Sequence, residues 1–287
     1  MRIAPVVIVV LAFALAACED GFNIYDKAEE VELGDEEARQ IEREVPGFRL
    51  FEEKPGVERY LERRIFEEVL STGAVANRDV FDYRLHLVDN PNEEMAFALP
   101  GGRVYLYTGL LLAVRSEAEL AGVIAHEVGH IELRHGAERM TMEKTLGVAL
   151  AIASAFLNNP VADFAGSSLA QIGVLSYSRE DEREADDFSV AALKDTRYYP
   201  GGAKLFFERL IAQKKADPDG DGYLVYLSTH PDVPERIDRI EERLRELGRE
   251  NVRLGEEAPG LYGAEYRANV WSPLARHYNV VDEHGYQ

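Results

Sequence analysis

The first part of the chain arranges charged and apolar residues with the period of an α-helix. Ala28 to Glu44 is strongly charged and rich in helix-forming residues, and Pro46-Gly47 follows it as a stop. Between Pro55 and Val69, apolar residues recur on one face, which predicts a second amphipathic helix. We expect both helices to pack as scaffold beside the long apolar helix predicted at Ser116 to Ala137.

The period then changes to that of β-strands. Tyr83 to Val88 alternates, Met95 to Leu99 is a second extended run, and Val104 to Tyr107 is a third. Pro100-Gly101-Gly102 predicts a turn between the last two, so the three runs indicate a small sheet with a hairpin. His86 lies inside the first strand, away from any ligand spacing, and we interpret it as structural.

The stretch from Ser116 to Ala137, SEAELAGVIAHEVGHIELRHGA, predicts the helix around which the chain is organised. Ser116 followed three residues later by Glu119 has the spacing of a capping box. Apolar residues then recur close to the 3.6-residue period, at Leu120, Val123, Ile124, Val128 and Ile131.

Two histidines of this helix have the spacing of metal ligands. His126 and His130 are one turn apart and share a face, so both imidazoles can bind one metal ion. Glu127 is offset around the helix, where a carboxylate can take a proton from a water that the metal activates. This HEVGH is the HExxH signature of a zinc-dependent hydrolase. A helix with two solvated histidines is the alternative, and the apolar run that carries the motif argues against it.

Composition narrows the class of protein. The chain has 287 residues, 46% of them hydrophobic and 29% charged, which is typical of an ordinary globular protein. The formal net charge of −20 argues against a nucleic-acid partner and against electrostatic docking on anionic lipid. It favours a solvated acidic surface.

The N-terminus predicts export. In MRIAPVVIVVLAFALAAC, Arg2 precedes an apolar run from Ile3 to Ala17 that has the length of a signal-peptide core. The run ends like a bacterial lipobox, which predicts that Cys18 carries a diacylglycerol; an ordinary secretory signal with a chance cysteine is the alternative. Glu19 replaces the aspartate of the inner-membrane retention signal, so outer-membrane attachment facing the periplasm is favoured.

Two segments follow the HEVGH helix. Leu146 to Leu157 is apolar all round but is short for a membrane span, so we expect a buried core helix.

From Glu180 to Asp187, six of eight residues are carboxylates, and any of them could complete a metal site with two histidines. A pair at i and i+4 would put one carboxylate on the metal and a second beside a ligand imidazole. Glu182 with Asp186 has this spacing, and so does Glu180 with Glu184. An acidic helix face in solvent is the remaining alternative.

A family resemblance bears on that choice. HEVGH, EREAD at Glu182 to Asp186 and AFALPGG at Ala96 to Gly102 resemble the metallopeptidase family that includes CAAX prenyl endoproteases, heat-shock membrane proteases and periplasmic lipoprotein proteases. The match covers roughly Val80 to Leu244. It implies that Glu182 is the third zinc ligand and that Asp186 orients a ligand imidazole. It also implies an α+β fold, a mostly helical zincin-like domain with a small β-sheet beside the zinc helix. The chain lacks the membrane spans of the prenyl-protein members, so it is most similar to the lipoprotein branch.

Two further residues follow from the same resemblance. Ser228 to Ile237, STHPDVPERI, resembles the family's HPxxxxRI segment. His230 could donate a hydrogen bond to the oxyanion of the reaction or bind the zinc and block it. Arg236 could anchor the segment through a carboxylate.

Together these patterns predict a zinc endopeptidase with one Zn²⁺ per chain, held by His126, His130 and Glu182. Its substrates would be extended or unfolded envelope polypeptides, bound along the strand Met95, Ala96, Phe97, Ala98 and Leu99. Its other contacts would be the membrane, through the lipid anchor, and envelope assembly machinery. The alternative is a chaperone-like assembly lipoprotein whose zinc site is gated. We divide the chain into a signal peptide (1–17), a helical segment (18–79), a metallopeptidase core (80–250) and a tail (251–287).

Overall fold

The computed structural model describes residues 22–145, 177–217, 226–227 and 229–281, which form a mostly helical α+β body with one small sheet. Cys18 and the predicted helix from Leu146 to Leu157 lie outside these residues. The strands are β1 (Arg84–Val88), β2 (Ala96–Leu99) and β3 (Arg103–Tyr107). The helices are α1 (Lys27–Glu44), α2 (Pro55–Leu61, a π-helical turn at Glu62–Phe66, and Glu67–Leu70), α3 (Thr108–Ala113), α4 (Glu117–Glu132), α5 (described from 135 to 145), α6 (Arg179–Leu193), α7 (Gly202–Ala216), α8 (Val233–Glu246) and α9 (Gly263–Tyr266, a π-helical turn at Arg267–Trp271, and Ser272–Tyr278).

The sheet has the strand order β1-β3-β2, with β1 parallel and β2 antiparallel to β3. The β2–β3 hairpin turns at Gly101 and Gly102, whose φ angles of 78° and 123° lie in the region that favours glycine. A Cβ at Gly101 would also lie 2.4 Å from the Cα of Val31 in α1, so the turn fits closely under that helix. The predicted strands and turn are confirmed, and β2 is an edge strand.

The two faces of the sheet are buried by different helices. Apolar side chains of the inner face join the main core around α4. Those of the outer face form a second cluster with Ala38 of α1. On that face His86 stacks on Tyr105 with ring centroids 4.9 Å apart, and burial together with the nearby Arg103 charge lowers the pKa of His86 to about 4. His86 is therefore a neutral part of the sheet at physiological pH.

Helix α4 is the centre of the main core, and its residues from Glu117 to Ile131 are all buried. Ser116 caps it by accepting a hydrogen bond of 3.1 Å from the Glu119 N–H, which is one of the two bonds of the predicted capping box. The Glu119 carboxylate is bound by Arg209 of α7 through two hydrogen bonds of 2.8 Å. The N-terminus of α4 is thereby fixed to a neighbouring helix.

Helices α4 and α7 approach so closely that only glycine fits between them. A Cβ added to Gly122 would lie 2.0 Å from the backbone nitrogen of Ala203, and one added to Gly202 would lie 1.8 Å from the carbonyl oxygen of Ala118. These are contacts with backbone atoms, which cannot rotate away. The close packing sets the distance between the helix that carries HEVGH and its support.

We therefore expect Gly122→Ala to lower the free energy of unfolding by about 1 to 3 kcal/mol, because the new methyl group forces the two helices apart. Gly56 in α2 is the matched control, since nothing lies within 4 Å of its Cβ position. Gly56→Ala should be neutral or stabilise by up to about 1 kcal/mol. Urea unfolding of both variants measures the difference, and equal midpoints would contradict the packing argument.

The C-terminal segment packs on the body. Tyr266 donates a hydrogen bond of 2.7 Å to the Leu111 carbonyl oxygen, and the Trp271 indole N–H donates one of 3.1 Å to that of Leu112. Helix α9 thus covers α3, directly before the start of α4. Within the described ranges, no helix combines the length and the apolar character that crossing a bilayer requires.

Candidate metal centre

Four potential metal ligands from three parts of the chain meet in the core. His126 and His130 come from α4, Glu182 from α6, and His230 from the segment before α8, and one ligand atom of each lies within 4.8 Å of the others. All four side chains are at most 1% exposed. They meet because α6 packs along α4 and α8 packs on α6.

The distances in this cluster suit a tetrahedral metal ion. The Nε2 atoms of His126 and His130 are 3.1 Å apart. Glu182 Oε2 lies 3.5 Å from the first of these atoms, and the other oxygen, Oε1, lies 3.4 Å from the second. A tetrahedral zinc with bonds of about 2.0 to 2.1 Å holds its ligand atoms about 3.3 Å apart. The imidazole and carboxylate donors therefore fit such an ion in both chemistry and spacing.

A buried ion-pair network fixes two of these side chains. Asp186 lies one turn after Glu182, and its Oδ1 is 3.0 Å from His126 Nδ1. Arg236 donates two hydrogen bonds of 2.7 Å to the Asp186 carboxylate, and its Nη1 forms an ion pair of 2.5 Å with Glu182 Oε2. The guanidinium also lies 4.2 Å from the ring centroid of Phe207. One arginine thus binds both carboxylates.

The charges in the cluster shift the pKa values of its members. Burial alone would raise the pKa of Glu182, but the His230 and Arg236 charges hold it well below its usual range. Arg236 likewise outweighs burial and lowers the pKa of Asp186. Burial and Arg236 act against protonation of His126, but its hydrogen bonds to Asp186 and Glu182 prevail and raise its pKa to about 9. The two carboxylates therefore stay ionised, and they stabilise positive charge at His126.

The Glu127 carboxylate of HEVGH is fully buried, and it has no hydrogen-bond donor among the described residues. The Nε2 atom of His230 lies 3.5 Å from Glu127 Oε1. Burial raises the pKa of Glu127. A buried carboxylate that accepts no hydrogen bond and lies beside potential metal ligands is suited to exchanging a proton with a reactant.

Two further residues, Tyr177 and His135, contact the cluster through His130, and no sequence pattern predicts them. Tyr177 stacks on His130 with ring centroids 3.7 Å apart, and His135 Nδ1 lies 2.9 Å from His130 Nδ1. His135 follows His130 by five residues, which is off the helical period. It reaches His130 because Arg134, with φ of 67°, ends α4 and turns the chain. Its only sequence signal is that it follows HEVGH closely.

The predicted substrate strand lies beside the cluster. Tyr107 N–H donates to the Met95 carbonyl oxygen at 3.0 Å, so these two residues form a hydrogen-bonded pair at the end of the hairpin. By the antiparallel alternation, the N–H and C=O groups of Ala96 and Ala98 point away from β3. Among the described residues, no other backbone group pairs with this edge.

Comparison with known proteins supports the same class. The profile of Peptidase family M48 matches residues 57–244, which begins earlier than the expected Val80 and so includes α2. Mitochondrial metalloendopeptidase OMA1 of Schizosaccharomyces pombe is 35% identical over 176 residues, 60% of this chain and 50% of the relative.

Two bacterial relatives are similar. Putative beta-barrel assembly-enhancing protease of Vibrio cholerae is 34% identical over 163 residues, 53% of this chain and 32% of the relative. Metalloprotease YcaL of Escherichia coli is 29% identical over 186 residues, 63% of this chain and 69% of the relative. The chain thus spans half or less of the first two relatives. Since the family profile covers more than half of its residues, the chain belongs to Peptidase family M48, a metalloprotease family.

Proposed function

We propose that the chain is a zinc endopeptidase, with one Zn²⁺ held by His126, His130 and Glu182. The observation that carries this proposal is the convergence of these three donors beside the buried carboxylate of Glu127, which accepts no hydrogen bond from the described residues. When bound, the zinc lowers the pKa of a water and polarises the scissile carbonyl. A structural zinc site would use four protein ligands, which His230 could complete, but it would have no use for the buried Glu127 carboxylate.

The other steps, which are proton transfer, oxyanion binding and ligand orientation, are assigned to side chains of the cluster. Glu127 takes the proton of the attacking water and passes it to the leaving amine, since its oxygens accept no other hydrogen bond. His230, whose Nδ1 lies 2.9 Å from Glu182 Oε1 and whose Nε2 lies 3.5 Å from Glu127 Oε1, donates a hydrogen bond to the oxyanion. Asp186 holds the His126 ring by its second nitrogen, and Arg236 holds Asp186 and Glu182 in place.

The proposed peptidase would bind an extended polypeptide as its substrate. On the edge of β2 the N–H and C=O groups of Ala96 and Ala98 lack a backbone partner among the described residues, and β2 contacts α4, which carries two of the proposed ligands. Ala96 is 0% and Ala98 6% exposed, so this edge must open before a peptide can pair with it. An extended peptide paired with that edge runs alongside the metal ligands. Backbone pairing has little dependence on side chains, which suits unfolded clients of varied sequence.

If the β2 edge binds substrate, Ala98→Pro should lower kcat/KM for an unfolded protein by about two- to tenfold, because it removes one N–H from the edge and costs one hydrogen bond. Proline is compatible with an edge strand when its missing N–H points outward. Ala98→Ser keeps the N–H and is the matched control. The zinc content of both variants should equal that of the parent. The unfolding midpoint of each variant is measured as well, because Ala98 is 6% exposed and packs in the main core, where both substitutions change the packing. Unchanged kcat/KM in a folded, zinc-loaded proline variant would refute edge binding.

We further propose that the protein acts in the bacterial cell envelope, attached through Cys18 to the outer membrane and facing the periplasm. The lipobox-like sequence before Cys18 supports the attachment. The similarity to a protein named for enhancing β-barrel assembly supports a role beside envelope assembly machinery, with misassembled envelope proteins as substrates. Palmitate labelling of the parent and of Cys18→Ser, followed by membrane separation, tests the attachment.

The decisive test of the peptidase is made on purified protein that starts after Cys18. We expect one zinc per chain by elemental analysis and cleavage of casein that a chelator abolishes and added zinc restores. A protein that binds no zinc, or that cleaves with the chelator present, would refute the proposal.

A second candidate is an envelope chaperone whose zinc site is gated. The observation in its favour is burial, since His126, Glu127, His130, Glu182 and His230 are all at most 1% exposed. His230 also lies where it could serve as a fourth ligand. Complementation of a deletion strain by Glu127→Gln would support this candidate. One zinc with no cleavage, followed by cleavage in His230→Ala, would identify His230 as the gate.

A further inference from the structure

The ring of His130 has a contact that the proposed mechanism does not use. Its Nδ1 lies 2.9 Å from His135 Nδ1, and His135 Nε2 lies 3.2 Å from Glu184 Oε2. His135 is 3% exposed, whereas the Glu184 side chain is 51% exposed. A line of hydrogen-bonding groups therefore runs from a proposed ligand to the protein surface. We propose that His135 is a positioning residue that selects the tautomer of His130 and thereby sets the affinity of the site for zinc.

The tautomers follow from the proposed function, on which this inference rests. His130 faces the cluster with Nε2, so metal binding requires a lone pair there and the ring hydrogen on Nδ1. Nδ1–H then donates to His135 Nδ1, which must carry its own hydrogen on Nε2 and donate to the Glu184 carboxylate. One arrangement of hydrogens satisfies all three residues. In it, His135 acts as an acceptor toward His130.

Local structure holds His135 in position for this role. Arg134 turns the chain between α4 and α5 and is itself anchored, since its Nε donates to Glu30 at 2.6 Å and its Nη2 to the Tyr25 carbonyl oxygen at 2.5 Å. Tyr177 covers the His130 ring at an interplanar angle of 13°. The ring of His130 is thus fixed by stacking on its face and by His135 at its edge.

The two proposed histidine ligands are oriented by different chemistry. His126 has a buried carboxylate, Asp186, which is itself paired with Arg236. His130 has the imidazole of His135, whose carboxylate partner Glu184 lies at the surface. A change at His135 therefore acts on one ligand and leaves the other in place. This separation makes the proposal testable.

The test compares His135→Leu with His135→Asn in the full mature chain, by competition for zinc with a chromophoric chelator. His135→Leu removes the acceptor and should weaken zinc binding by about 10- to 100-fold. The Asn side-chain oxygen occupies the position of Nδ1, so His135→Asn should remain within about threefold of the parent. Glu180→Gln, an exposed carboxylate at the start of the same helix as Glu184, is the control and should bind like the parent.

A second measurement reports the tautomer itself. Long-range ¹H–¹⁵N spectra of the ¹⁵N-histidine-labelled, zinc-loaded protein should place the His130 hydrogen on Nδ1 in the parent and in His135→Asn. Equal zinc affinity in His135→Leu and the parent would overturn the proposal and leave the peptidase intact. Equal losses in the Leu and Asn variants would show a purely structural role and overturn it too. A parent that binds no zinc would refute the metal centre and this inference together.

Discussion

Glu127→Gln should lower kcat/KM for casein by about 10²- to 10⁴-fold while the protein still binds one zinc per chain. The size of the loss is that of removing a positioned general base. Zinc binding should survive because Glu127 is not one of the donors around which His126, His130 and Glu182 converge. The amide is nearly the same size as the carboxylate, so the cluster keeps its shape. Cleavage by the purified variant at the parent's rate would refute the mechanism.

We also expect Glu127→Gln to keep or raise the stability of the metal-free protein. The Glu127 carboxylate is fully buried and accepts no hydrogen bond from the described residues, so in the metal-free protein it is a cost to folding. Glu127→Gln should therefore unfold at the same or a higher urea concentration than the parent when a chelator is present. His126→Ala is the contrasting control, because it should lose both zinc and hydrolysis. Lower stability in Glu127→Gln would show that the loss of activity comes from damage to the core.

The extent to which the sequence predicts the site depends on whether the relevant signal is local. The HEVGH pair and the β2–β3 hairpin are encoded by spacing and turn chemistry within a few residues, and the structure contains both. The proposed third ligand is not predicted by spacing, because Glu182–Asp186 and Glu180–Glu184 have identical spacing on one helix. Burial in the folded protein distinguishes the two pairs. Glu182 and Asp186 are at most 1% exposed, whereas Glu180 and Glu184 are 52% and 51% exposed.

The residue that distinguishes the two carboxylate pairs is distant from them in the sequence. Arg236 reaches across from α8, fifty residues after Asp186, and binds the two buried carboxylates. No periodicity within α6 indicates which face α8 will cover. The contact between His135 and His130 is hidden for a related reason, since a single left-handed residue, Arg134, breaks the helical period between them. Local patterns thus predict the donors, and long-range packing decides which of them meet.

Because Arg236 binds both buried carboxylates, Arg236→Met should lower the free energy of unfolding by about 3 to 5 kcal/mol. Arg236 is 2% exposed and lies within 2.7 Å of both Asp186 and Glu182, which are at most 1% exposed. Methionine fills much of the same space beside Phe207 but provides no charge. Asp186 and Glu182 would then be left in the core without their cation, and the loss of that compensation is the source of the cost.

Urea unfolding with a chelator present measures this cost, because the chelator prevents zinc from replacing the lost charge. Arg239→Met is the matched control on the same helix. Arg239 pairs with Asp187 at 2.6 Å, but both side chains are partly exposed and Arg243 binds the same carboxylate. Its loss should therefore cost less than about 1 kcal/mol. If Arg236→Met costs no more than Arg239→Met, the carboxylates tolerate burial without a cation. The compensation by Arg236 would then not be what allows a His-His-Glu cluster to form in the core.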